Sequence, residues 1–121
     1  MVANEGATHV AVFKEKLQMF ARNAYFRLKS LTIAAEFAQT FENEILPLLR
    51  RQAGFKGEIT LSNPGSLEQI AISLWENVNY AEAYNVDLYP RILKILARLI
   101  EGTPKIRTYE AVTLNLDHGS V

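Results

Sequence analysis

The chain has no cysteine, and its two histidines stand near the ends, at His9 and His118. Without cysteine, disulfides, thiolate metal sites and a cysteine nucleophile are excluded. Two histidines in terminal segments give no converging ligand set, so we expect neither a metal site nor a Ser-His-Asp triad. Gly54 and Gly57 follow a predicted helix rather than precede one, so they do not predict a phosphate loop. No cofactor is expected.

An excess of charge of either sign is also missing. Thirteen Lys and Arg residues balance thirteen Asp and Glu residues. A nucleic-acid-binding protein needs a basic face to displace counterions, so nucleic acid is not an expected partner. A net charge near zero gives little repulsion between copies, which favours self-association.

Long apolar runs are absent as well. No stretch reaches the roughly 20 apolar residues that span a membrane, so no membrane association is expected. Glu5 stands early in a polar N-terminal stretch without an apolar core, which does not fit a secretory signal. The default expectation is a cytoplasmic protein.

What the sequence does contain is a globular composition, with 49% hydrophobic and 21% charged residues in 121 positions. This predicts one domain. We place it at residues 19–116, between an N-terminal extension at 1–18 and a C-terminal tail at 117–121. Val10, Phe13 and Leu17 have helical spacing, so the extension is predicted to be a short surface helix, a disordered tail, or a lid over the pocket or dimer.

Alternating apolar residues predict strands at 20–28, 55–62, 67–75 and 105–116. A stripe at steps of three and four predicts a helix from residue 33 to about 53, with Ser30 or Thr32 as its N-cap and a kink at Pro47. A second, interrupted helix is predicted at 80–85 and 90–101. Asn77 or Asn79 is expected to cap its first piece and Asp87 its second.

The predicted order β-α-β-β-α-β is that of the ferredoxin-like α+β fold, a four-stranded antiparallel sheet with both helices on one face. The other face of such a sheet is left uncovered. Because the strands carry apolar residues on both faces, we expect a second copy of the chain to cover it, giving a homodimer.

Five short motifs resemble the antibiotic biosynthesis monooxygenase superfamily in their order and spacing, across residues 19–116. They imply a dimeric α/β barrel, with a pocket between sheet and helices in each subunit. The motifs are Gly54-Phe55-Lys56-Gly57, Ser73-Leu74-Trp75-Glu76, Ala81-Glu82-Ala83-Tyr84, Tyr89-Pro90 and Arg107-Thr108-Tyr109-Glu110.

The resemblance separates two branches of the superfamily by their residues. The haem-degrading branch uses an Asn on strand one, a Trp on helix two and a histidine ligand further along. Asn23 matches the first, Tyr84 stands at the second, and Leu93 or Lys94 stands where the histidine would be, so haem binding is not expected. The quinone-forming branch uses a Trp at the end of strand three, which Trp75 matches.

The candidate site combines five residues: Asn23, Trp75 and Tyr84 as catalytic groups, with Tyr25 and Tyr89 as substrate-binding groups. Trp75 would donate its indole N–H to a substrate oxygen, or else pack against helix two in the core and donate to a backbone carbonyl. Asn23 would contact the ligand, or else bond a neighbouring strand or loop. Tyr84 and Tyr89 would orient or deprotonate a phenol, or else pack in the core.

Two functions remain open from the sequence. The first is cofactor-free oxidation of a small aromatic or apolar metabolite, in which Asn and Tyr stabilise the developing oxyanion. The second is a non-catalytic, small-molecule-binding or stress-associated dimer. The second predicts tight packing around Trp75, with no cavity large enough for a ligand.

Overall fold

A computed structural model describes residues 19–115. The extension at 1–18 and the tail at 117–121, with the predictions made for them, lie outside the described residues. The strands are β1 (Met19–Arg27), β2 (Phe55–Ser62), β3 (Glu68–Trp75) and β4 (Lys105–Ala111), and the sheet order is β2-β3-β1-β4. All three pairings are antiparallel. The predicted ferredoxin-like α+β fold is therefore confirmed.

The first helical region is divided into four short pieces, where the sequence predicted one kinked helix. A 3₁₀ turn at Leu31–Ile33 leads into α1 (Ala34–Thr40), a π-helical segment (Phe41–Ile45) and α2 (Leu46–Arg50). Ser30 precedes the turn without a side-chain capping bond. Pro47 lies in the first turn of α2, where its missing N–H cannot continue the ladder, and the backbone directly before it is π-helical.

The second helical region is interrupted, as predicted. It consists of α3 (Val78–Asp87) and α4 (Tyr89–Leu96). Asn77 caps α3 by accepting a 3.2 Å hydrogen bond from the backbone N–H of Tyr80. Asp87 was expected to cap α4 and does not, because the turn begins at Leu88 without a side-chain cap.

The two faces of the sheet differ. Arg22, Ala24 and Phe26 of β1 and the odd-numbered residues of β3 point toward the helices and are buried. There they form the core with the apolar sides of the helices, and Phe26, Phe37 and Trp75 are each no more than 3% exposed. We call this the helix-side face. The opposite face, which we call the open face, carries no helix among the described residues. Ile59 and Leu61 of β2 are 51% and 43% exposed there.

Gly54 brings the end of the first helical region against α3. Its φ is +79°, and a Cβ at this position would lie 2.2 Å from Cγ of Tyr80. Any other residue would strain the backbone and displace that ring. The Gly54 carbonyl also accepts a 2.8 Å bond from the N–H of Glu76, which fixes the end of β3 beneath α3.

Candidate functional site

A row of polar residues crosses three strands of the helix-side face. The register pairs Glu58 of β2 with Ser73 of β3, and Ser73 with Arg22 of β1. Arg22 is 3% exposed and Ser73 6% exposed. A buried polar row in an otherwise apolar layer is costly unless its groups find partners, so this row is the first place to look for function.

Two alanines lie beside this row and create a cavity. Ala24 of β1 pairs with Ala71 of β3, one step along both strands on the same face. Their methyl groups leave space under the helices that larger side chains would fill. We call this space the inner chamber. The centre of a water-sized sphere can move through a volume of about 20 Å³ inside it. This holds one or two water-sized atoms and no aromatic ring. Its lining is completed by Phe26, Phe41, Leu49, Tyr84, Tyr89 and Ile92.

Arg22 provides the positive charge of the chamber. Its Nη2 donates a 2.7 Å hydrogen bond to Oδ1 of Asn85 on α3. The two ion pairs found among residues 19–115 are Lys56–Glu76 and Arg98–Glu36, so Arg22 has no carboxylate partner in the described part of the chain. A buried guanidinium without an anion retains a large unmet electrostatic demand.

Two tyrosine rings fix the plane of Arg22. Its guanidinium carbon lies 4.1 Å from the centroid of the Tyr89 ring and 5.0 Å from that of Tyr84. Cation–π contacts of this length stabilise an arginine and limit its rotation. The Tyr89 hydroxyl is buried and forms no hydrogen bond of good geometry within residues 19–115, although the Arg22 guanidinium lies close enough to stabilise its ionised form. It is available to a group entering the chamber.

Burial raises the pKa of the Tyr84 phenol far above its ordinary value, although the positive charge of Arg22 opposes the shift. Burial likewise raises the pKa of Tyr89, against the same opposing charge. Both phenols are therefore protonated at neutral pH and act as hydrogen-bond donors. Burial therefore favours the orienting role of the two tyrosines over proton abstraction.

Glu58 is the acidic group of the chamber. It is partly buried, and its Oε2 accepts a 2.6 Å bond from the Thr60 hydroxyl. Burial raises the pKa of the Glu58 carboxyl, and the Thr60 bond partly opposes this. A carboxylate with a raised pKa is a stronger base than one in water.

A second, larger space adjoins the chamber. We call it the outer groove; its volume, measured in the same way, is about 310 Å³. Phe41 and Glu58 line both spaces and stand between them, and we call this border the neck. Phe41 begins the π-helical segment, a form of helix that is frequent at functional sites. The rest of the groove is lined by Ala38, Glu42, Leu46, Thr60, Ser62 and Gln69.

The structure does not bring all five predicted site residues together. Tyr84 and Tyr89 line the chamber, but Asn23 and Tyr25 lie on the open face of the sheet. The prediction of a single pocket containing all five is wrong, because successive strand residues point to opposite faces and Asn23 alternates with Arg22 and Ala24. Asn23 Nδ2 lies 3.5 Å from the Tyr25 hydroxyl, and its Oδ1 is buried without a partner in residues 19–115.

Trp75 is a core residue whose donor is already used. It is 0% exposed, and its indole Nε1–H donates a 2.8 Å bond to the Ser73 hydroxyl. Its ring stacks on Tyr84, with centroids 4.8 Å apart. The alternative of a core Trp is therefore correct, but its expected acceptor was wrong, because the N–H bonds the Ser73 hydroxyl and not a backbone carbonyl. Trp75 supports the chamber from behind Tyr84 and does not line it.

Sequence reasoning missed Arg22, Glu58 and Ser73. A signal for Arg22 was present, since it shares the parity of the apolar residues Ala24 and Phe26 on β1. The carboxylates of the motifs, Glu76, Glu82 and Glu110, are all exposed and do not line the chamber.

The described residues contain neither a metal-binding cluster nor a membrane-spanning helix. Within 19–115, no three acidic or histidine side chains converge in a way that could hold a metal ion. None of the helices in this part of the chain has the length and apolar character needed to cross a membrane.

No family model matches the sequence, and no curated protein is significantly similar to it. Solved structures do match. A monooxygenase from the gene ActVA-Orf6 of Streptomyces coelicolor, in complex with nanaomycin D, superposes with a TM-score of 0.68 at 14% identity, covering 88% of this chain and 97% of that one. SnoaB, a cofactor-independent oxygenase from Streptomyces nogalater, in its N63A form, gives 0.65 at 18% identity, covering 80% and 96%.

A third structure is a dimeric protein of unknown function from Bacteroides fragilis with a ferredoxin-like fold. Its TM-score is 0.62 at 19% identity, covering 77% of this chain and 96% of that one. At such identities the similarity establishes a shared fold. The chain has the fold that its motif resemblance to the antibiotic biosynthesis monooxygenases implied.

Proposed function

We propose that the protein is a cofactor-free monooxygenase that oxidises a small, electron-rich aromatic metabolite between the sheet and the helices. The observation that carries this proposal is the inner chamber itself, where the partly buried carboxyl of Glu58 and the buried cation of Arg22 line one space with two protonated tyrosines. The fold shared with a cofactor-independent oxygenase supports it.

Glu58 is the proposed general base. A substrate hydroxyl in the neck between outer groove and chamber lies beside its carboxylate, which accepts the proton. The raised pKa of Glu58 brings its basicity closer to that of a phenol. The hydroxyl of Tyr84 donates a hydrogen bond to the developing anion, and the charge of Arg22 stabilises negative charge within the chamber.

The reaction needs no reductant when the substrate is a phenol with a free C–H opposite its hydroxyl. The substrate anion transfers one electron to O₂, and the resulting radical pair joins through a new C–O bond at that ring carbon. Loss of water from the hydroperoxide breaks the O–O bond and leaves a quinone. One atom of O₂ enters the product, the other leaves as water, and the substrate supplies all four electrons.

Oxygen uptake tests the proposal. We expect the purified protein to consume one O₂ per phenol oxidised, and Glu58→Gln to reduce kcat at least about a hundredfold, within the range for a lost general base. Tyr84→Phe should reduce kcat by about tenfold, since it removes one donor. Glu82→Gln, an exposed change on α3, is the matched control. A Glu58→Gln protein with unchanged turnover would rule out this mechanism.

We also propose that a second copy of the chain covers the open face. The supporting observations are the exposed Ile59 and Leu61, and the buried Asn23 Oδ1 that finds no partner within residues 19–115. The dimeric neighbour from B. fragilis is consistent with this. On this proposal Asn23 and Tyr25 contribute to the interface between copies. Sedimentation at micromolar concentration tests it: a monomer would contradict the proposed dimer.

The second candidate function is a non-catalytic binding or stress-associated dimer. The observation that favours it is the volume of the inner chamber, about 20 Å³, which admits no ring. Under this alternative the protein binds small aromatic molecules in the outer groove without consuming O₂. Native mass spectrometry, which detects a co-purified ligand, together with the oxygen electrode, distinguishes the two functions.

A further inference from the structure

We propose that the ligand of this site carries a carboxylate that binds Arg22 in the inner chamber, so that the substrate class is a hydroxylated aromatic monocarboxylate. This rests on the proposed function for the identity of the site. It adds a recognition element that the oxidation itself does not require.

Arg22 and Tyr89 both line the chamber, and each leaves a polar need unmet within residues 19–115. Arg22 has no carboxylate partner, and the Tyr89 hydroxyl has no hydrogen bond of good geometry. Arg22 is 3% exposed and Tyr89 8% exposed, so water meets neither need well. The only hydrogen bond of the Arg22 side chain within residues 19–115 goes to Asn85, a neutral acceptor. A guanidinium has five N–H donors and suits a planar carboxylate, which it binds through two parallel bonds. Such a ligand would satisfy both Arg22 and the Tyr89 hydroxyl.

The volume of the chamber selects the size of the anionic group. About 20 Å³ accepts one or two oxygen atoms, while the aromatic body has to occupy the outer groove of about 310 Å³. A phosphate would bring three terminal oxygens and up to two negative charges to a single cation. A carboxylate matches both the space and the charge.

Glu58 then sets the second point of attachment. It lies two strands from Arg22 in the same cross-strand row, so their Cα atoms are about 9.5 Å apart from the usual strand spacing. A ring held in the outer groove at the neck presents its carboxylate inward to Arg22 and a hydroxyl to Glu58. The negative charge of Glu58 disfavours a second carboxylate at the neck, which limits the ligand to one.

Calorimetry with 3-hydroxybenzoate and its neutral counterpart 3-hydroxybenzamide tests the inference. The two probes share the ring and hydroxyl and differ in charge. We expect the wild-type protein to bind the carboxylate at least about tenfold more tightly than the amide, and more tightly than 3-hydroxyphenyl phosphate. In Arg22→Gln the preference for carboxylate over amide should vanish. Arg27→Gln, an exposed change on the same strand, should keep it.

Several outcomes would overturn the inference: equal or tighter binding of the amide, no binding of either probe at millimolar concentration, or a carboxylate preference that survives Arg22→Gln. If Arg22→Gln does not fold, Arg22→Lys replaces it. Lysine keeps the charge and loses the planar fork, so the carboxylate preference should fall and remain above one. The comparison of probes on wild-type protein stands without any variant.

The binding experiments are done under argon, so they do not depend on turnover. A carboxylate preference without O₂ uptake on any phenol would uphold the carboxylate site and contradict the monooxygenase. Oxygen uptake on neutral phenols without a carboxylate preference would uphold the monooxygenase and contradict the carboxylate site.

Discussion

The two faces of the sheet are built from the same strands and have different uses. On β1, Arg22, Ala24 and Phe26 face the helices, while Asn23 and Tyr25 face away. The helix-side face encloses a charged chamber within a close-packed core. The open face exposes Ile59 and Leu61 on an edge strand and has no cover within the described residues. One residue of displacement along a strand thus separates the proposed chemistry from the proposed dimer.

This difference also explains which face tolerates polar groups. The polar row on the helix-side face persists inside the core because Ser73 bonds Trp75 and Asn85 bonds Arg22. Asn23 has no comparable support on the open face, where its Oδ1 is buried without a partner in residues 19–115. The polar groups of the helix-side face surround the inner chamber. On the open face, Asn23 would gain a partner only from another surface packed against it.

The largest expected effect comes from truncating the helix-side core. Trp75→Ala should lower the free energy of unfolding by about 3–5 kcal/mol, since it removes a fully buried indole. Ile59→Ala on the half-exposed open face should cost well under half as much in the monomer. Urea unfolding at a concentration where the protein is monomeric measures both. Similar losses at the two positions would mean that the open face is already a packed core.

The next prediction concerns the open face, where substitutions should weaken the dimer and leave the monomer nearly as stable. The double change Ile59→Lys and Leu61→Lys places two charges on the open face of each copy, so the dimer should weaken at least about a hundredfold in Kd. Monomer stability should change by less than about 1 kcal/mol, because both side chains are exposed. Val86→Lys, on the 71% exposed residue of α3, is the matched control. Sedimentation equilibrium that finds the same Kd in all three proteins would refute the interface.

The fold was accessible from the sequence because its signals are local. Alternation predicted four strands, and Asn77 marked the start of α3. The candidate site was less accessible. The chamber depends on Ala24 lying beside Ala71, and that register joins strands 47 positions apart, which no hairpin turn fixes. The π-helical segment depends on packing around Pro47, and propensity alone does not predict it.

The alternation of β1 side chains between the two faces of the sheet contained more information than the sequence predictions used. Parity alone puts Arg22 with Ala24 and Phe26, yet attention went to Asn23 because the motif resemblance assigned it a role. Strand alternation is a stronger physical constraint than a single matching residue. Glu58 gave no such signal, because β2 has the sequence pattern of an ordinary polar edge strand.

A smaller effect on the free energy of unfolding is expected from the hydrogen bond between Arg22 and Asn85. Asn85→Ala should cost about 1–3 kcal/mol, since it leaves the Arg22 guanidinium without its neutral acceptor. Arg22→Met should lie within about 1 kcal/mol of wild type, because removing the charge also removes its desolvation cost. When Arg22→Met is already present, adding Asn85→Ala should therefore lower the free energy of unfolding only slightly. A double-mutant cycle by thermal unfolding measures this coupling, and additive losses would contradict it.

The smallest effect is a pH dependence that belongs to the helix-side face alone. The unfolded chain ionises Glu58 at the ordinary value of about 4.5, and the folded protein holds its proton to higher pH because burial raises the pKa. Between these two values the folded state binds more protons than the unfolded state. The contribution of Glu58 to stability is therefore full below pH 4.5, falls as the pH rises through the folded pKa, and is constant above it.

Glu58→Gln removes this titration, so its stability relative to wild type should increase across the same pH window and then level off. Thr60→Val should steepen the wild-type fall, because the Thr60 hydroxyl stabilises the ionised form through its 2.6 Å bond. Urea unfolding at a series of pH values measures both slopes, with Glu82→Gln on α3 controlling for the loss of one carboxylate. A difference between Glu58→Gln and wild type that stays flat with pH would mean that Glu58 is fully hydrated, and the chamber would then lose its base.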